Sequence, residues 1–536
     1  MLFNSVTFLV YFLPLTFAGY VACFRFGHGR LAAMWLTAAS LVFYGWWRPE
    51  NLPLLIGSIL FNYWLGGKLL ENASRSLLVF GIVANVALLG VFKYTAFATD
   101  ISNHAFGTHL VVPAIVLPLA ISFFTFQQIA YLVDAHDGAV TEHNFLNYCL
   151  FITFFPHLIA GPITHHREML SQFGNPDRFR PRWDLFTVGV TLFLIGLFKK
   201  VLVADPFGSS VTPIFNAAQA GPVQLVEAWA GAIAYSLQIY FDFSGYTDMA
   251  IGLGLLFGIS LPPNFNSPYK ARNIIEYWSR WHMTLTRFLT AYIYNPVVVA
   301  LTRRRAAKGL PLPKRGKMTP GMFLTLVALP TVLTMFVSGV WHGAGWQFVI
   351  FGLLHGCYLV IAHAWRFMKT RRGIPLDGGG RWRVAGSVLL TFLCAMVALV
   401  FFRAPDVPTA LNVLGGMIGL HGTTLPSPVR ALPFAEPLAA AAHIGIGKLS
   451  LFDASLAVRI VLFLTVVWAL PNAYQWLRDY PTALSMNTKP SWLEQFMSAA
   501  RWRPKLGYAL AVGGFSAMSL LYVFSSAPTE FLYFQF

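Results

Sequence analysis

The sequence predicts an all-α, polytopic membrane protein, and three observations carry the prediction. Of 536 residues, 56% are hydrophobic and 11% are charged, where a soluble domain carries about 25% charge. Aromatic residues reach 16%, and mean hydropathy is +0.60. Apolar stretches of about 20 residues, the length of a bilayer-crossing helix, recur from one end of the chain to the other. A surface facing water on all sides cannot be built from so few charges. A soluble enzyme, a disordered chain and a disulfide scaffold are thereby excluded.

The first candidate span covers residues 3–24. No Lys or Arg precedes it, which argues against a cleaved signal peptide. Arg25 and Arg30 follow it, so the positive-inside rule places the N-terminus outside and this loop in the cytoplasm. Further spans are predicted at 31–47, 52–70, 76–97, 111–133 and 145–164. Pro113, Pro118, Pro156, Gly161 and Pro162 fall in the last two. They predict kinked or re-entrant helices, which a membrane tolerates only where they are buried in protein or line a cavity. Spans at 185–204, 223–243, 246–261, 321–340, 346–368, 385–403, 455–477 and 507–526 complete the series. Several are too short or too polar to cross simply, which leaves roughly 11–14 tilted and re-entrant helices. No repeat is evident. The chain reads as one integral-membrane domain over 1–536, with a core at about 111–403 and peripheral helices at 1–100 and 404–536. The Gly-, Pro- and Ala-rich stretch 421–450 has no assignment.

The charges are distributed as topology requires. Lys and Arg total 38 against 21 acids, a net +17. No basic face adjoins a soluble fold, so nucleic-acid binding is excluded as the cause. Seven positive charges and no acid lie between Arg303 and Lys317 (Arg303, Arg304, Arg305, Lys308, Lys314, Arg315, Lys317). Five more face Asp377 between Lys369 and Arg383. Both loops are expected in the cytoplasm. The two spans between them form a hairpin, with Trp341-His342-Gly343-Ala344-Gly345-Trp346 at an extracytoplasmic or membrane-buried turn. The bland alternative is a plain connection whose tryptophans anchor the interface. Cys23, Cys149, Cys357 and Cys394 make no C-x-x-C pair and read as buried, reduced thiols.

Polar groups within apolar segments are costly and are functional candidates by default. His342 lies beside Gly343 and Gly345, which allow close approach of substrate or backbone. It reads either as a general base or as a structural hydrogen-bonding residue. His282 lies in a stretch, 277–289, that reads as an amphipathic helix. Arg280, Thr284 and Arg287 would share one face, and Trp278, Trp281, Leu285 and Phe288 another. That face either lies at the cytoplasmic surface or offers Arg280 and Arg287 to the phosphates of an anionic donor. Asp242 and Asp248 need partners, for which Arg280 and Arg272 are candidates; structural pairing outweighs proton transfer. Asn264 and Asn266 could bind substrate or simply form the turn. Trp341 and His157 complete the candidates, His157 leaning towards packing. His355 is 13 residues from His342, which separates the two along a helix axis. There is no G-x-S-x-G elbow, Walker loop or H-E-x-x-H motif, and no metal set.

Several motifs together resemble the membrane-bound O-acyltransferase family. They are Leu41-Val42-Phe43-Tyr44-Gly45-Trp46-Trp47, Asn62-Tyr63-Trp64-Leu65-Gly66, residues 241–252, residues 277–284, Ser338-Gly339-Val340-Trp341-His342-Gly343-Ala344 and Tyr533-Phe534-Gln535-Phe536. Their order is similar to that in the membrane subunits of alginate O-acetylation. Related subunits serve cellulose and peptidoglycan acetylation and teichoic-acid D-alanylation. The resemblance implies a ring of helices around a central pore, with His342 as the family's histidine and His282 as its polar partner. It implies an O-acyltransferase in a bacterial inner membrane, with a periplasmic N-terminus. The donor would be a cytoplasmic thioester, acetyl-CoA, used as substrate rather than bound cofactor. The acceptor would be an exopolysaccharide such as alginate or cellulose, reached through a periplasmic acetyltransferase of the SGNH-hydrolase-like type. Two roles stay open for His342: general base, or transient carrier of the acetyl group. A lipid-linked sugar transporter and a non-catalytic scaffold are the alternative functions.

Overall fold

The computed structural model describes residues 1–111, 115–313, 318–376, 380–442, 444–477, 479, 502, 503 and 505–532. Pro113, Lys314, Arg315, Lys317, Asp377 and the closing motif 533–536 lie outside the described residues. Helices form nearly all the regular structure among them. Seven are long and apolar enough to cross a membrane: Thr7–Phe26, Arg75–Phe106, Trp183–Ala220, Pro320–His342, Trp346–Arg371, Arg381–Arg403 and Leu506–Ser525. The protein is a multi-pass, all-α membrane protein.

The predicted spans 3–24 and 31–47 are two helices, and the chain folds back between them at His28, whose φ is 60°. Leu52–Glu71 and Arg75–Leu89 follow as separate helices. The expected 111–133 span is shorter, because helix begins only at Ile121, after Pro118. The 145–164 span breaks as its prolines predict. Phe145–Thr153 ends at Phe154, a single turn Phe155–Leu158 follows, and non-helical chain then runs to His165.

One expectation is overturned at the centre of the molecule. The segments 223–243 and 246–261 are not two spans. They are one 32-residue helix, Leu225–Leu256, buried along almost its whole length from Glu227 onward. The apparent break at Ser244-Gly245 is a packing feature. A Cβ on Gly196 would lie 2.4 Å from the Gly245 carbonyl, and one on Gly252 would lie 2.5 Å from that of Gly189. Small residues therefore let this helix press directly against Trp183–Phe198, the usual means of close helix association in a bilayer.

The unassigned 421–450 region contains a small parallel pairing. Thr424, Leu425 and Pro426 pair with Gly445, Ile446 and Gly447, and the short helix Ala435–Ala441 lies between them. Buried Glu227 anchors it by accepting from the Leu451 N–H, 3.0 Å away.

Candidate active site

The hairpin expected between the two basic loops is present. Pro320–His342 ascends, a three-residue link follows, and Trp346–Arg371 returns. The two helices cross almost backbone to backbone. A Cβ on Gly339 would lie 2.9 Å from the Gly352 Cα, and one on Gly352 would lie 2.4 Å from the Met335 carbonyl. His342 is the last residue of its helix and is buried, 5% exposed. Its ring packs against Trp341, Phe402 and Phe351, with centroids at 4.9, 5.1 and 5.8 Å.

A helix end in a membrane leaves carbonyls without intrahelical partners. Here a lysine meets them. Lys93 Nζ donates to the carbonyls of Trp341 (2.6 Å) and His342 (3.2 Å), and lies 3.4 Å from Ser122 Oγ. The Tyr94 hydroxyl donates to the Val340 carbonyl at 2.7 Å. A cation at a helix C-terminus also complements the helix dipole. The candidate residues did not include Lys93, although a lone lysine in an apolar span is itself a signal. Ser338, one turn before His342, was also missed. Its buried hydroxyl has no hydrogen-bond partner among the described residues. Replacing Lys93 by Met should lower turnover about tenfold or more, because the helix end that carries His342 loses the cation that fixes its carbonyls. Rates per folded molecule in purified protein check this.

His282 corrects the reading of 277–289 as one amphipathic helix. The helix Ile274–Trp278 ends, and Met283–Leu289 begins after a turn in which His282 takes φ 43° and ψ 52°. This left-handed conformation is unfavourable for a residue with a side chain. Asn264 holds it in place. The Asn264 carbonyl accepts from the Met283 N–H at 2.9 Å. Its Oδ1 lies 3.0 Å from His282 Nδ1 and accepts from the Thr284 N–H (3.2 Å) and hydroxyl (2.9 Å). The Thr284 oxygen in turn accepts from the Ile163 N–H at 3.0 Å. Since Oδ1 can only accept, Nδ1 carries the proton; in the neutral form of the ring Nε2 is then the acceptor. Asn264 Nδ2, also buried, has no hydrogen-bond partner among the described residues. Substituting Asn264 by Ala should therefore cut activity more sharply than it cuts folded yield, a comparison made by activity per molecule recovered.

Trp341 joins the two histidines. Its ring centroid lies 6.4 Å from that of His282 and 4.9 Å from that of His342. An aromatic column leads away from it: Phe126 stacks on Trp341 at 5.2 Å, Phe288 stacks on Phe126 at 4.8 Å, and Tyr292 packs tilted against Phe288 at 4.8 Å. The Tyr292 hydroxyl then donates to Asp134 at 2.6 Å.

The remaining candidates separate. Arg280 and Arg287 share no helical face, because the turn at His282 intervenes. Arg280 pairs with Glu276 at 2.7 Å, and Arg287 grips Glu168 with two bonds of 2.7 and 2.8 Å. Asp242 and Asp248 pair not with Arg280 or Arg272 but with two adjacent lysines, Lys200 (2.7 Å) and Lys199 (2.6 Å). Asn266 accepts from Asn472 at 3.0 Å. His157 meets the Phe151 carbonyl at 2.9 Å and packs on Phe154. His355 is nearer His342 than its spacing suggests, because the hairpin doubles back: Phe351 contacts both rings, at 4.8 and 5.8 Å. Trp278 Nε1 donates to His355 Nδ1 at 3.2 Å.

Comparison with known proteins gives the family. Residues 137–309 match the pattern of MBOAT, the membrane-bound O-acyltransferase family. A peptidoglycan O-acetyltransferase of Helicobacter pylori is 40% identical, covering 79% of this chain and 81% of the relative. A probable alginate O-acetylase, AlgI, of Azotobacter vinelandii is 37% identical over 79% of each chain. Its counterpart in Pseudomonas putida is 32% identical over 100% of both. A buried histidine pair and similarity along the chain lead to one conclusion: this protein is an acyltransferase belonging to the membrane-bound O-acyltransferase family.

Proposed function

We propose that the protein transfers an acetyl group from a cytoplasmic thioester, acetyl-CoA, to a hydroxyl of an extracytoplasmic polysaccharide in a bacterial inner membrane. The observation that carries this reading is the pair of buried histidines flanking Trp341, each held by fixed partners. In this mechanism His342 takes the proton from the acceptor hydroxyl, whose oxygen attacks the thioester carbonyl. The proton passes to the departing sulfur, so the products are an ester and a free thiol. The Asn264 amide supplies a donor for the charge that develops on the carbonyl oxygen. His282, presenting Nε2 as an acceptor, receives an N–H from the donor's pantetheine arm and holds the donor in place. With its proton on Nδ1, the neutral ring has no Nε2–H with which to polarise the carbonyl.

The basic residues Arg303, Arg304 and Arg305 support a cytoplasmic donor entrance, with the aromatic column from Tyr292 to Trp341 as the path of its apolar arm. Relatives named for peptidoglycan and for alginate support a polysaccharide acceptor, among exopolysaccharides such as alginate or cellulose. Delivery to the polymer by a periplasmic SGNH-hydrolase-like acetyltransferase and a periplasmic N-terminus complete the proposal. Reconstituting the chain in vesicles with labelled acetyl-CoA tests it. Label should move to a glycan or partner on the opposite face. Label that stays on CoA when acceptor is supplied overturns it. Sugar flux without any acetyl donor would identify a transporter instead.

A further inference from the structure

The most heavily charged buried cluster lies away from the two histidines. Lys200, Asp205 and Asp242 have side-chain exposures of 4%, 7% and 2%. Lys200 Nζ lies 2.8 Å from Asp205 Oδ1 and 2.7 Å from Asp242 Oδ1. One ammonium and two carboxylates leave an excess negative charge out of water, which is costly unless hydrogen bonds satisfy it.

Residues 529–532 supply those bonds. The Thr529 hydroxyl donates to Asp205 Oδ2 at 2.6 Å, and the Leu532 N–H donates to Asp242 Oδ2 at 3.0 Å. The Glu530 carbonyl accepts from Lys200 at 3.0 Å. An ammonium has three protons, and with this bond each has an acceptor. Asn4 Nδ2 adds a bond to the Thr529 carbonyl at 3.2 Å. The segment is thus fixed in register on both sides of Phe531.

Phe531 is 1% exposed. Its ring stacks on Tyr246 at 4.6 Å, and Phe3 stacks on the same tyrosine at 4.8 Å. It also meets Phe243 at 5.5 Å. Phe243 presents its ring to that of His282 at 4.8 Å and 84°. The imidazole is therefore held by Asn264 through its Nδ1 edge and by Phe243 against its ring.

We propose that residues 529–532 form a strap that positions the His282 ring, with Phe531 acting through Phe243. This rests on the reading of His282 as a site residue. Phe531 is a positioning residue. The test uses the full chain in lipid nanodiscs, with kcat and KM for acetyl-CoA measured for Phe531→Ala, Phe243→Ala, the double variant and His282→Ala. Phe531→Ala is expected to raise KM for acetyl-CoA about tenfold with kcat little changed, because His282 holds the donor. The double variant should show no higher KM than Phe243→Ala alone, because both changes break one chain of contacts. If Phe531→Ala yields no folded protein, Phe531→Leu and Thr529→Val carry the same comparison. Wild-type KM in the Phe531 variants, or KM increases that multiply in the double variant, overturns the strap. A raised KM in His282→Ala beside a wild-type KM in Phe531→Ala refutes the strap alone; a wild-type KM in His282→Ala refutes the reading beneath it.

Discussion

Replacing His342 by Ala is expected to abolish acyl transfer while the protein still inserts and folds. General-base action is worth about 10²–10⁴ in rate, so the residual activity should fall by at least two orders of magnitude. The backbone at this position does not depend on the imidazole. Lys93 and Tyr94 hold the carbonyls of residues 340–342, and the Gly339–Gly352 crossing sets the helix pair. The ring instead packs among Trp341, Phe351 and Phe402. The check is polymer acetylation in cells alongside the amount of folded protein in the membrane. Normal acetylation in this variant would remove His342 from the chemistry and favour a scaffold that only recruits a transferase.

The largest effect on stability is expected at Lys200. Changing it to Met keeps the length and removes the charge, which leaves Asp205 and Asp242 buried together with no cation between them. Breaking a buried pair by deleting one partner costs about 3–5 kcal/mol, a large share of the total stability of a typical fold. Folded yield after extraction, and the melting temperature of what survives, should both drop. Adding Asp242→Asn to Lys200→Met should recover part of the loss, because it removes the charge left stranded. A Lys200→Met protein that melts like the parent would show that the network carries little stability.

Much of the architecture is legible in the sequence because bilayer crossing imposes a length and an apolar composition that a single chain displays locally. The hairpin bearing His342 is readable for a second reason: Arg303, Arg304 and Arg305 on one side and Lys369, Arg371 and Arg372 on the other bracket it. What escapes is set by contacts between distant segments. Gly245 looks like a helix break until Gly196 is seen against it. The turn at His282 depends on Asn264, 18 residues earlier, and on Ile163, 121 residues before Thr284. Lys93 meets Trp341 across 248 residues. Arg280 and Arg272 were natural partners for Asp242 and Asp248 by charge alone, yet folding gives Lys200 and Lys199 that place.

The near contact of Gly339 with Gly352 has a consequence for motion. Backbones this close leave no slack for one helix to slide past the other, because the next side chain along would collide. The hairpin should therefore behave as one rigid body, with its central amides among the slowest in the molecule to exchange with deuterium. If donor and acceptor come from opposite faces, as proposed, His342 is held fixed within that body between them. The flexible arms of the two substrates must do the travelling, and turnover is expected to follow their arrival and release.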